Sequence, residues 1–318
     1  MTQMMYGMLN ELRPSRVTAE QVVAGHDLTG KTVVLTGGNS GIGTETARVL
    51  AAAGARVIMT SRDIEAGQQV AKQLMQHQLK GQILVAQLDL ADLHSVAQLA
   101  QMLNAEAQID TLICNAGVMA CPLSYTKQGF ERQIGTNHFG HFYLFRLLEA
   151  KLAAQNFDTR VVVVSSAGHA TMDHWKGVNF ADMHYKEGRT YGKLNAYGQS
   201  KSANILFAKQ IAVRHPTSNL RAYSLHPGNC KTQLQRHLTL TERLAAKCAG
   251  PVMKTLPQAA ATTIYAAVSP DLLDKSGAYL VNVAVKQPSS HCRDLETAQR
   301  LWEETSSQIQ KALDNQTM

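Results

Sequence analysis

The stretch TGGNSGIG, residues 36–43, places four glycines between a short apolar run, residues 33–35, and a segment of helical periodicity that begins near residue 41. Glycine beside regular structure loses side-chain contacts and costs conformational entropy, so packing alone does not explain this composition. A strand, a tight glycine turn and a helix start together present unpaired N–H groups and the positive end of the helix dipole. This combination predicts a cradle for a phosphate group.

Two well-known glycine motifs do not match this stretch. The G-x-G-x-x-G pattern fails because Gly41 and Gly43 are followed by Thr46, and the P-loop fails because Thr44 stands where a lysine is needed. Taken by itself, the stretch is also compatible with an ordinary glycine turn. The interpretation therefore depends on the rest of the chain.

Short β-rich runs alternate with longer helical ones after this turn. The continuous apolar run at residues 161–164 is typical of a strand buried on both faces. The alternation predicts an α/β fold, a doubly wound Rossmann-type parallel sheet of about seven strands flanked by helices in a single domain. The predicted strands are residues 32–36, 56–60, 83–88, 111–114, 160–164, 221–225 and 278–281, and the predicted helices are residues 41–53, 63–78, 93–107, 129–154, 196–214 and 257–268.

Polar or glycine signals follow six of the predicted strands, at the sheet edge where ligands of such folds bind. They are the glycine turn, Ser61-Arg62, Leu88-Asp89-Leu90, Asn115-Ala116-Gly117, Ser165-Ser166 and His226-Pro227-Gly228. We assign residues 28–290 to this domain, 1–27 to an N-terminal arm and 291–318 to a C-terminal helical tail. Two long connections, 167–190 and 229–256, are predicted to be functional loops.

Composition excludes several classes of protein. The chain has 318 residues and a net charge of +7, but its Lys and Arg residues are scattered, which argues against nucleic-acid binding. The sequence contains no run of about 18 apolar residues, so no membrane span is predicted. The N-terminus does not have the pattern of a secretory signal. The five cysteines include no C-x-x-C pair, and the histidines show no H-E-x-x-H spacing, so we expect no metal site and a cytoplasmic location.

Taken together, the motifs resemble those of the short-chain dehydrogenases/reductases. They occur in the order of that family over residues 36–232: the glycine turn, Asn115-Ala116-Gly117, Asn137, Ser166, Tyr197-x-x-x-Lys201, Pro227-Gly228 and Thr232. Segments such as TNHFGHFYL and YGQSKSANILFA are similar to the retinol dehydrogenase and WW-domain oxidoreductase branch of the family. The resemblance implies hydride transfer between a nicotinamide cofactor and a carbonyl or an alcohol.

Four residues are the predicted catalytic set: Tyr197, Lys201, Ser166 and Asn137. Tyrosine is a poor acid or base at neutral pH, and a lysine four residues later on one helix face is expected to lower its pKa. The resemblance implies that Lys201 also holds the nicotinamide ribose, that Ser166 orients the carbonyl oxygen, and that Asn137 holds a water for proton relay. Two alternatives stay open: Ser165 as the catalytic serine, and an Asn137 that only braces its helix.

The predicted cofactor is NADP(H), with NAD(H) less favoured. Ser61 occupies the place where an acidic residue would accept the ribose 2′-hydroxyl of NAD, and Arg62 follows it, suited to a 2′-phosphate. The alternative is that Arg62 is a solvated residue beside Asp63 at a helix start. The predicted cofactor-binding residues are Gly37, Asn39, Ser40, Gly41, Ile42, Gly43, Arg62, Asp89, Asn115, Ala116, Gly117, Tyr197, Lys201, Pro227, Gly228 and Thr232.

The substrate is expected to be a small, apolar carbonyl compound or alcohol, with His169 and Trp175 as candidates for the pocket wall. Loop 229–256 mixes apolar residues with basic ones such as Lys254, which is typical of a lid over the substrate or of a helix resting on a membrane surface. The resemblance also implies a homodimer or homotetramer formed through the helices that carry Asn137 and Tyr197. Two other functions remain: a carbon–carbon double-bond reductase, and a dinucleotide-sensing interaction protein with little turnover.

Overall fold

An eight-stranded sheet organises the computed structural model, which describes residues 16–171, 177–230 and 253–317. The strand order is β3-β2-β1-β4-β5-β6-β7-β8, and every neighbouring pair is parallel except β7 and β8. This order is that of the predicted doubly wound fold, with its crossover between β1 and β4. The strands are β1 Thr32–Leu35, β2 Arg56–Ser61, β3 Gln82–Gln87, β4 Thr111–Cys114, β5 Thr159–Val164, β6 Leu220–His226, β7 Tyr279–Val281 and β8 Ala284–Lys286.

The eighth strand, β8, departs from the all-parallel expectation. A two-residue turn at Asn282 and Val283 returns the chain antiparallel to β7, and both residues have positive φ angles of 54° and 61°. Two positive φ values are the signature of a type I′ hairpin turn, which usually contains Asn or Gly. The sequence does not predict this turn, because Val283 is β-branched and such residues rarely adopt the left-handed region.

Helices occur in all six of the predicted helical windows, and three further helices of the described residues, α1, α6 and α9, lie outside them. The helices are α1 Ala19–Val23, α2 Gly41–Ala52, α3 Ile64–Met75, α4 Leu93–Asn104, α5 Gly140–Ala153, α6 Gly168–Thr171, α7 Lys193–Arg214, α8 Leu256–Val268 and α9 Leu295–Thr317. A short turn, Arg132–Ile134, and a π-helical turn, Gly135–Phe139, lead directly into α5. The windows 63–78 and 93–107 were too long at their C-terminal ends; Gln78, for example, adopts a φ of 52°, outside the helical region.

The apolar core consists of two layers, one on each face of the sheet. Val34 belongs to the layer beneath α4, α5, α7 and α9, whereas Val33 and Leu35 belong to the layer beneath α2, α3 and α8. Alternate residues of β5 divide in the same way, with Val161 and Val163 on one side and Val162 and Val164 on the other. Burial on both faces is therefore the physical reason for the continuous apolar runs.

Both terminal segments pack on the sheet domain. α1 begins with a capping box formed by Thr18 and Gln21, and Ala19 is fully buried. At the other end, α9 inserts Trp302 among Phe142, Phe145 and Phe207 of α5 and α7. Among the described residues, no helix combines the length and the apolar character that a bilayer crossing requires.

Candidate active site

The glycine turn connects β1 to α2 in a conformation that depends on its glycines. Gly37 and Gly41 have φ angles of 66° and 59°, which side chains disfavour. A Cβ at Gly43 would lie only 2.2 Å from the Gly37 carbonyl oxygen. Because the N-cap Ser40 forms no side-chain hydrogen bond to α2, the first N–H groups of this helix lack a capping side chain. The turn thus has the room and the donors that a dinucleotide pyrophosphate requires.

Asn115 holds this turn against the end of β4. Its Nδ2 donates to the carbonyl oxygens of Thr36, at 2.9 Å, and Gly37, at 3.2 Å. In return, the Thr36 hydroxyl oxygen accepts the N–H groups of Asn115 at 2.9 Å and Ala116 at 3.0 Å. The predicted Asn115-Ala116-Gly117 motif therefore fixes the position of the glycine turn through its own hydrogen bonds.

Arg62 lies exposed at the carboxyl end of β2, on a cavity of about 580 Å³ that Asp89 and Lys127 also line. The Ser61 hydroxyl is buried and donates to the Asp63 carbonyl oxygen at 2.6 Å. The Asp63 carboxylate accepts the Ala66 N–H at 3.0 Å and so caps α3. No acidic side chain occupies the position of Ser61, and the Arg62 guanidinium faces a space large enough for a ligand group.

Asn137 is fully buried in the π-helical turn before α5, an element that often marks functional sites. Its Oδ1 accepts the Val118 N–H at 2.8 Å, while its Nδ2 donates to the Val118 carbonyl oxygen at 3.0 Å and to the Ser200 hydroxyl at 2.9 Å. The side chain thus joins the loop after β4 to α7. Its own carbonyl oxygen accepts a hydrogen bond from His141 Nδ1 at 3.0 Å.

Tyr197 and Lys201 are buried one turn apart on α7. The Lys201 ammonium donates to the Val164 carbonyl oxygen at 3.0 Å and lies 5.6 Å from the centre of the Tyr197 ring. Burial lowers the pKa of Lys201 to about 8. Burial also raises the pKa of Tyr197 to about 12, and only the hydrogen bond with Ser166 opposes it.

The expectation that Lys201 lowers the pKa of Tyr197 is therefore wrong for this structure. The desolvation of the phenol outweighs any effect of the ammonium, which is directed at the main chain of β5. Helical spacing placed the two side chains on one face, but it did not reveal how deeply both are buried. At neutral pH, Tyr197 is a phenol.

The two adjacent serines at the end of β5 have different partners. The Ser165 hydroxyl is buried and donates to the Lys201 carbonyl oxygen at 2.7 Å, so it braces α7. The Ser166 hydroxyl accepts the Gly168 N–H at 3.0 Å and hydrogen-bonds to Tyr197. Of the two serines, Ser166 is the one beside the tyrosine.

Pro227 and Gly228 follow β6 and contact a lysine from the far end of the next loop. Gly228 has a φ of 99°, and a Cβ there would lie 2.5 Å from Cδ of Lys254. The Lys254 ammonium donates to the Pro227 carbonyl oxygen at 3.1 Å, and burial lowers its pKa to about 8. Lys254, predicted to be one of the basic residues of an amphipathic loop, is instead buried, with its side chain against Gly228.

Comparisons with known proteins agree with this geometry. Residues 31–177 match the family model of the short chain dehydrogenases. The chain is 39% identical over 276 residues to human retinol dehydrogenase 12, covering 86% of this chain and 85% of the relative. It is 35% identical over 303 residues to the WW domain-containing oxidoreductase of Pongo abelii, covering 94% of this chain and 73% of the relative. A crystal structure of an uncharacterized protein from Mycobacterium paratuberculosis superimposes with a TM-score of 0.72 at 35% identity, covering 91% and 97%.

The chain belongs to the short-chain dehydrogenases/reductases. Membership makes it an oxidoreductase that transfers hydride between an NAD(P)(H) cofactor and a CH–OH or C=O group. The glycine turn and the uncapped start of α2 fit such a cofactor, because they combine close backbone approach with free N–H donors.

The structure of this short-chain dehydrogenase places most of the predicted site residues at one edge of the sheet. Tyr197, Lys201, Ser166 and Asn137 lie together, with Gly117 beside Asn137 Oδ1 and Lys201 Nζ. Arg62 and Asp89 share the cavity at the β2–β3 end of the same edge. Thr232 and Trp175 lie outside the described residues, as does most of loop 229–256. Among the described residues, no group of three or more His, Cys, Asp and Glu side chains is arranged to hold a metal.

Sequence reasoning missed the histidines that support the site. His141 is fully buried, and its Nε2 lies 2.8 Å from the Thr36 hydroxyl, so it links Asn137 to the glycine turn. His169, predicted as a candidate for the pocket wall, is 4% exposed, and its Nδ1 lies 2.6 Å from the Ser166 carbonyl oxygen. Their only sequence signal is closeness to motif residues, which does not tell a ligand-facing histidine from a bracing one.

Proposed function

We propose that the protein is an NADP(H)-dependent oxidoreductase that acts on a carbonyl compound or alcohol. The observation that carries the proposal is the hydrogen bond between the half-buried Ser166 hydroxyl and the buried Tyr197, next to Lys201. When bound, the nicotinamide cofactor supplies or accepts the hydride. The protein's own residues then have to bind the substrate oxygen and move one proton.

In reduction, Tyr197 donates its phenol proton to the substrate oxygen, and Ser166 donates a hydrogen bond to the same oxygen. Burial keeps Tyr197 protonated at neutral pH, so the proton is in place for reduction, while the raised pKa also makes the phenol a weaker acid. Lys201 and Asn137 take the positioning and proton-relay roles implied by the family resemblance. The reverse reaction requires the phenolate, which the burial of Tyr197 disfavours.

NADP(H) is the proposed cofactor because Arg62 offers a forked cation at the end of β2 where an NAD enzyme needs an acidic side chain. Arg62 and Lys127 both line the cavity there, and Asp92 pairs with Lys127 at 2.5 Å, which leaves the Arg62 guanidinium as the group for a 2′-phosphate. Asp89 is proposed to meet the adenine, and Thr232 to reach the carboxamide. Asn115, Ala116, Gly117, Pro227 and Gly228 are proposed to line the cofactor.

The proposed substrate is a lipophilic ketone, aldehyde or alcohol. The retinol dehydrogenases among the relatives support this class. Carbon–carbon double-bond reduction and dinucleotide sensing stay as alternatives. Product analysis separates the first from the main proposal, and cofactor binding without turnover would favour the second.

We also propose a cytoplasmic homodimer or homotetramer. Helix α9 covers the face of α5 and α7 that carries Phe142, Phe145 and Phe207. The proposed subunit contacts therefore use other faces of the protein. Light scattering on the purified protein measures the subunit number.

Cofactor titration by NADPH and NADH fluorescence, followed by turnover on a panel of aldehydes, ketones and quinones, tests the proposal. In Arg62→Ala, we expect NADPH affinity to fall about 10–100-fold, the range of a lost charge-assisted hydrogen bond, with NADH affinity unchanged. The exposed Arg16→Ala is the control, and an equal loss for both cofactors would contradict the NADP(H) assignment.

The same panel tests the role of Tyr197. We expect Tyr197→Phe to lose at least about 10²-fold in kcat while retaining cofactor binding, because the general acid is removed. Tyr223→Phe is the matched control, since Tyr223 is buried and donates to the Leu272 carbonyl oxygen far from the site's proton path. Full activity of Tyr197→Phe would overturn the proposed mechanism.

A further inference from the structure

A histidine with no role in the proposed reaction contacts the main chain of Ser166, the proposed catalytic serine. His169, on α6, is buried, and its Nδ1 lies 2.6 Å from the Ser166 carbonyl oxygen. Its Nε2 lies 3.2 Å from the backbone nitrogen of Ser289, more than a hundred residues later. One imidazole ring therefore connects the main chain of Ser166 to the segment that follows β8.

The partners of His169 fix its tautomer. The Ser289 backbone N–H can only donate, so Nε2 accepts and carries no proton. The Ser166 carbonyl oxygen can only accept, so Nδ1 carries the proton and donates. Both ring nitrogens are satisfied only in the neutral Nδ1–H form. Burial lowers the pKa of His169 and favours that form at neutral pH.

The segment that contacts His169 also contacts the helix of the catalytic tyrosine and lysine. His291 Nε2 lies 3.3 Å from the hydroxyl of Ser202, the residue after Lys201. The His169 ring packs edge-on against Tyr279 of β7, with centroids 5.2 Å apart, and faces His291 at 6.4 Å. His226 is the other titratable group that acts on it. We call residues 289–292 the C-terminal brace, because they contact both His169 and Ser202 of α7.

The hydrogen bonds of Ser166 explain why such support matters. Its hydroxyl accepts the Gly168 N–H and bonds to Tyr197, so the direction of the hydroxyl depends on the position of the main chain at residues 166–168. Ser166 lies past the end of β5 at Val164, and its carbonyl oxygen accepts the His169 backbone N–H at 3.2 Å as well as the hydrogen bond from the His169 ring. The hydrogen bond from the His169 ring thus helps to fix the position of the Ser166 carbonyl oxygen.

We propose that His169 is a positioning residue: it transmits the fixed position of the C-terminal brace to Ser166 and keeps the serine hydroxyl aimed at Tyr197 and the substrate oxygen. This inference rests on the proposed function of Ser166. It predicts that removing the hydrogen bonds of the ring impairs the chemical step but not cofactor binding.

Kinetics of four variants test the proposal. His169→Phe keeps the ring and its contact with Tyr279 but loses both hydrogen bonds, and we expect kcat to fall about 10–100-fold, as for a catalytic group misplaced by about 1 Å, with KM and NADPH affinity nearly unchanged. His169→Asn retains a donor near Ser166 and should recover most of the loss. His184→Phe is the matched control, since His184 is half-buried and its ring bridges the Glu131 backbone and Gln308 rather than Ser166.

The fourth variant combines the substitution with Ser166→Ala. If His169 acts through Ser166, His169→Phe should change kcat by no more than about twofold in this background. Losses that multiply would overturn the proposal, because a residue that only stabilises the fold harms both backgrounds equally.

Two measurements do not depend on turnover. Long-range nitrogen NMR spectra should show His169, identified by its absence in His169→Phe, as the neutral Nδ1–H tautomer; the Nε2–H tautomer, or titration at the ordinary value of 6.5, would overturn the contact. A crystal structure of His169→Phe should show the Ser166 hydroxyl moved out of hydrogen-bonding distance of Tyr197, and an unmoved hydroxyl would overturn the positioning role. Wild-type protein without turnover would instead contradict the proposed function.

Discussion

At the scale of single residues, Gly43 is the position in the glycine turn that tolerates an added side chain least. An added Cβ would meet the Gly37 carbonyl oxygen at 2.2 Å and Asn115 Nδ2 at 2.8 Å, so α2 would have to move away from the turn that it supports. We expect Gly43→Ala to weaken binding of either dinucleotide by about 10–100-fold, because overpacking here costs roughly 1–3 kcal/mol in the bound geometry. Fluorescence titration measures the change.

Gly25→Ala is the control for this substitution. Gly25 has a φ of 82° but nothing within 4 Å of an added Cβ. The substitution should therefore cost about 1–2 kcal/mol of stability through the left-handed backbone alone. Equal losses of affinity in the two variants would contradict a specific role for the close approach at Gly43.

At the scale of elements, α9 is attached chiefly by aromatic contacts. Trp302 is 5% exposed, and its ring packs against Phe142 at 4.9 Å, with the Arg146 and Arg214 guanidinium groups over it. We expect Trp302→Ala to lower the free energy of unfolding by about 3–5 kcal/mol, since it leaves a large cavity between α9 and the sheet domain. Urea denaturation measures this loss.

Trp302→Phe provides the comparison, because it keeps an aromatic ring in the same place and should cost less than half as much. Helix α9 also contacts the catalytic region through Thr305, whose hydroxyl lies 3.1 Å from Nε2 of His138, next to Asn137. A Trp302→Ala protein as stable as wild type would show that α9 is not an integral part of the domain.

At the scale of the whole molecule, buried histidines make stability depend on pH. Burial lowers the pKa from 6.5 to about 3 in His138 and His226 and to about 4 in His141. The unfolded chain therefore binds protons below pH 6.5 that the folded protein does not, so this stability is complete above 6.5 and is lost as the pH falls towards 4. Each such histidine contributes a slope of up to about 1.4 kcal/mol per pH unit.

Urea unfolding midpoints between about pH 7.5 and pH 5 measure this slope. His138→Gln keeps a polar partner for Thr305 but does not titrate. In this variant, the slope of unfolding free energy against pH should decrease by the contribution of about one proton, up to about 1.4 kcal/mol per pH unit. An unchanged slope in the variant, or a flat profile in the wild type, would contradict the neutral burial of His138.

The sequence predicted the fold well, because the strand ends and the glycine turn depend on local chemistry. The continuous apolar run Val161 to Val164 indicated a strand buried on both faces, and the four glycines after β1 indicated a tight turn before α2. The prediction failed where long-range packing decides, as in the β7–β8 hairpin, whose Val283 carries no turn signal. It also failed for the pKa of Tyr197, because helical spacing contains no information on burial.

The sequence by itself determined the doubly wound sheet, the family resemblance, and the grouping of Tyr197, Lys201 and Asn137 with one of two adjacent serines, since their order and their places at strand ends and on α7 are local properties. Only the tertiary structure decided the partners of these residues. It directs Ser165 to the α7 main chain and Ser166 to Tyr197, buries Lys254 against Gly228, and brings Ser289 to His169. The physical reason is that hydrogen-bond direction and desolvation depend on segments far apart in the chain, which meet only when the sheet is complete.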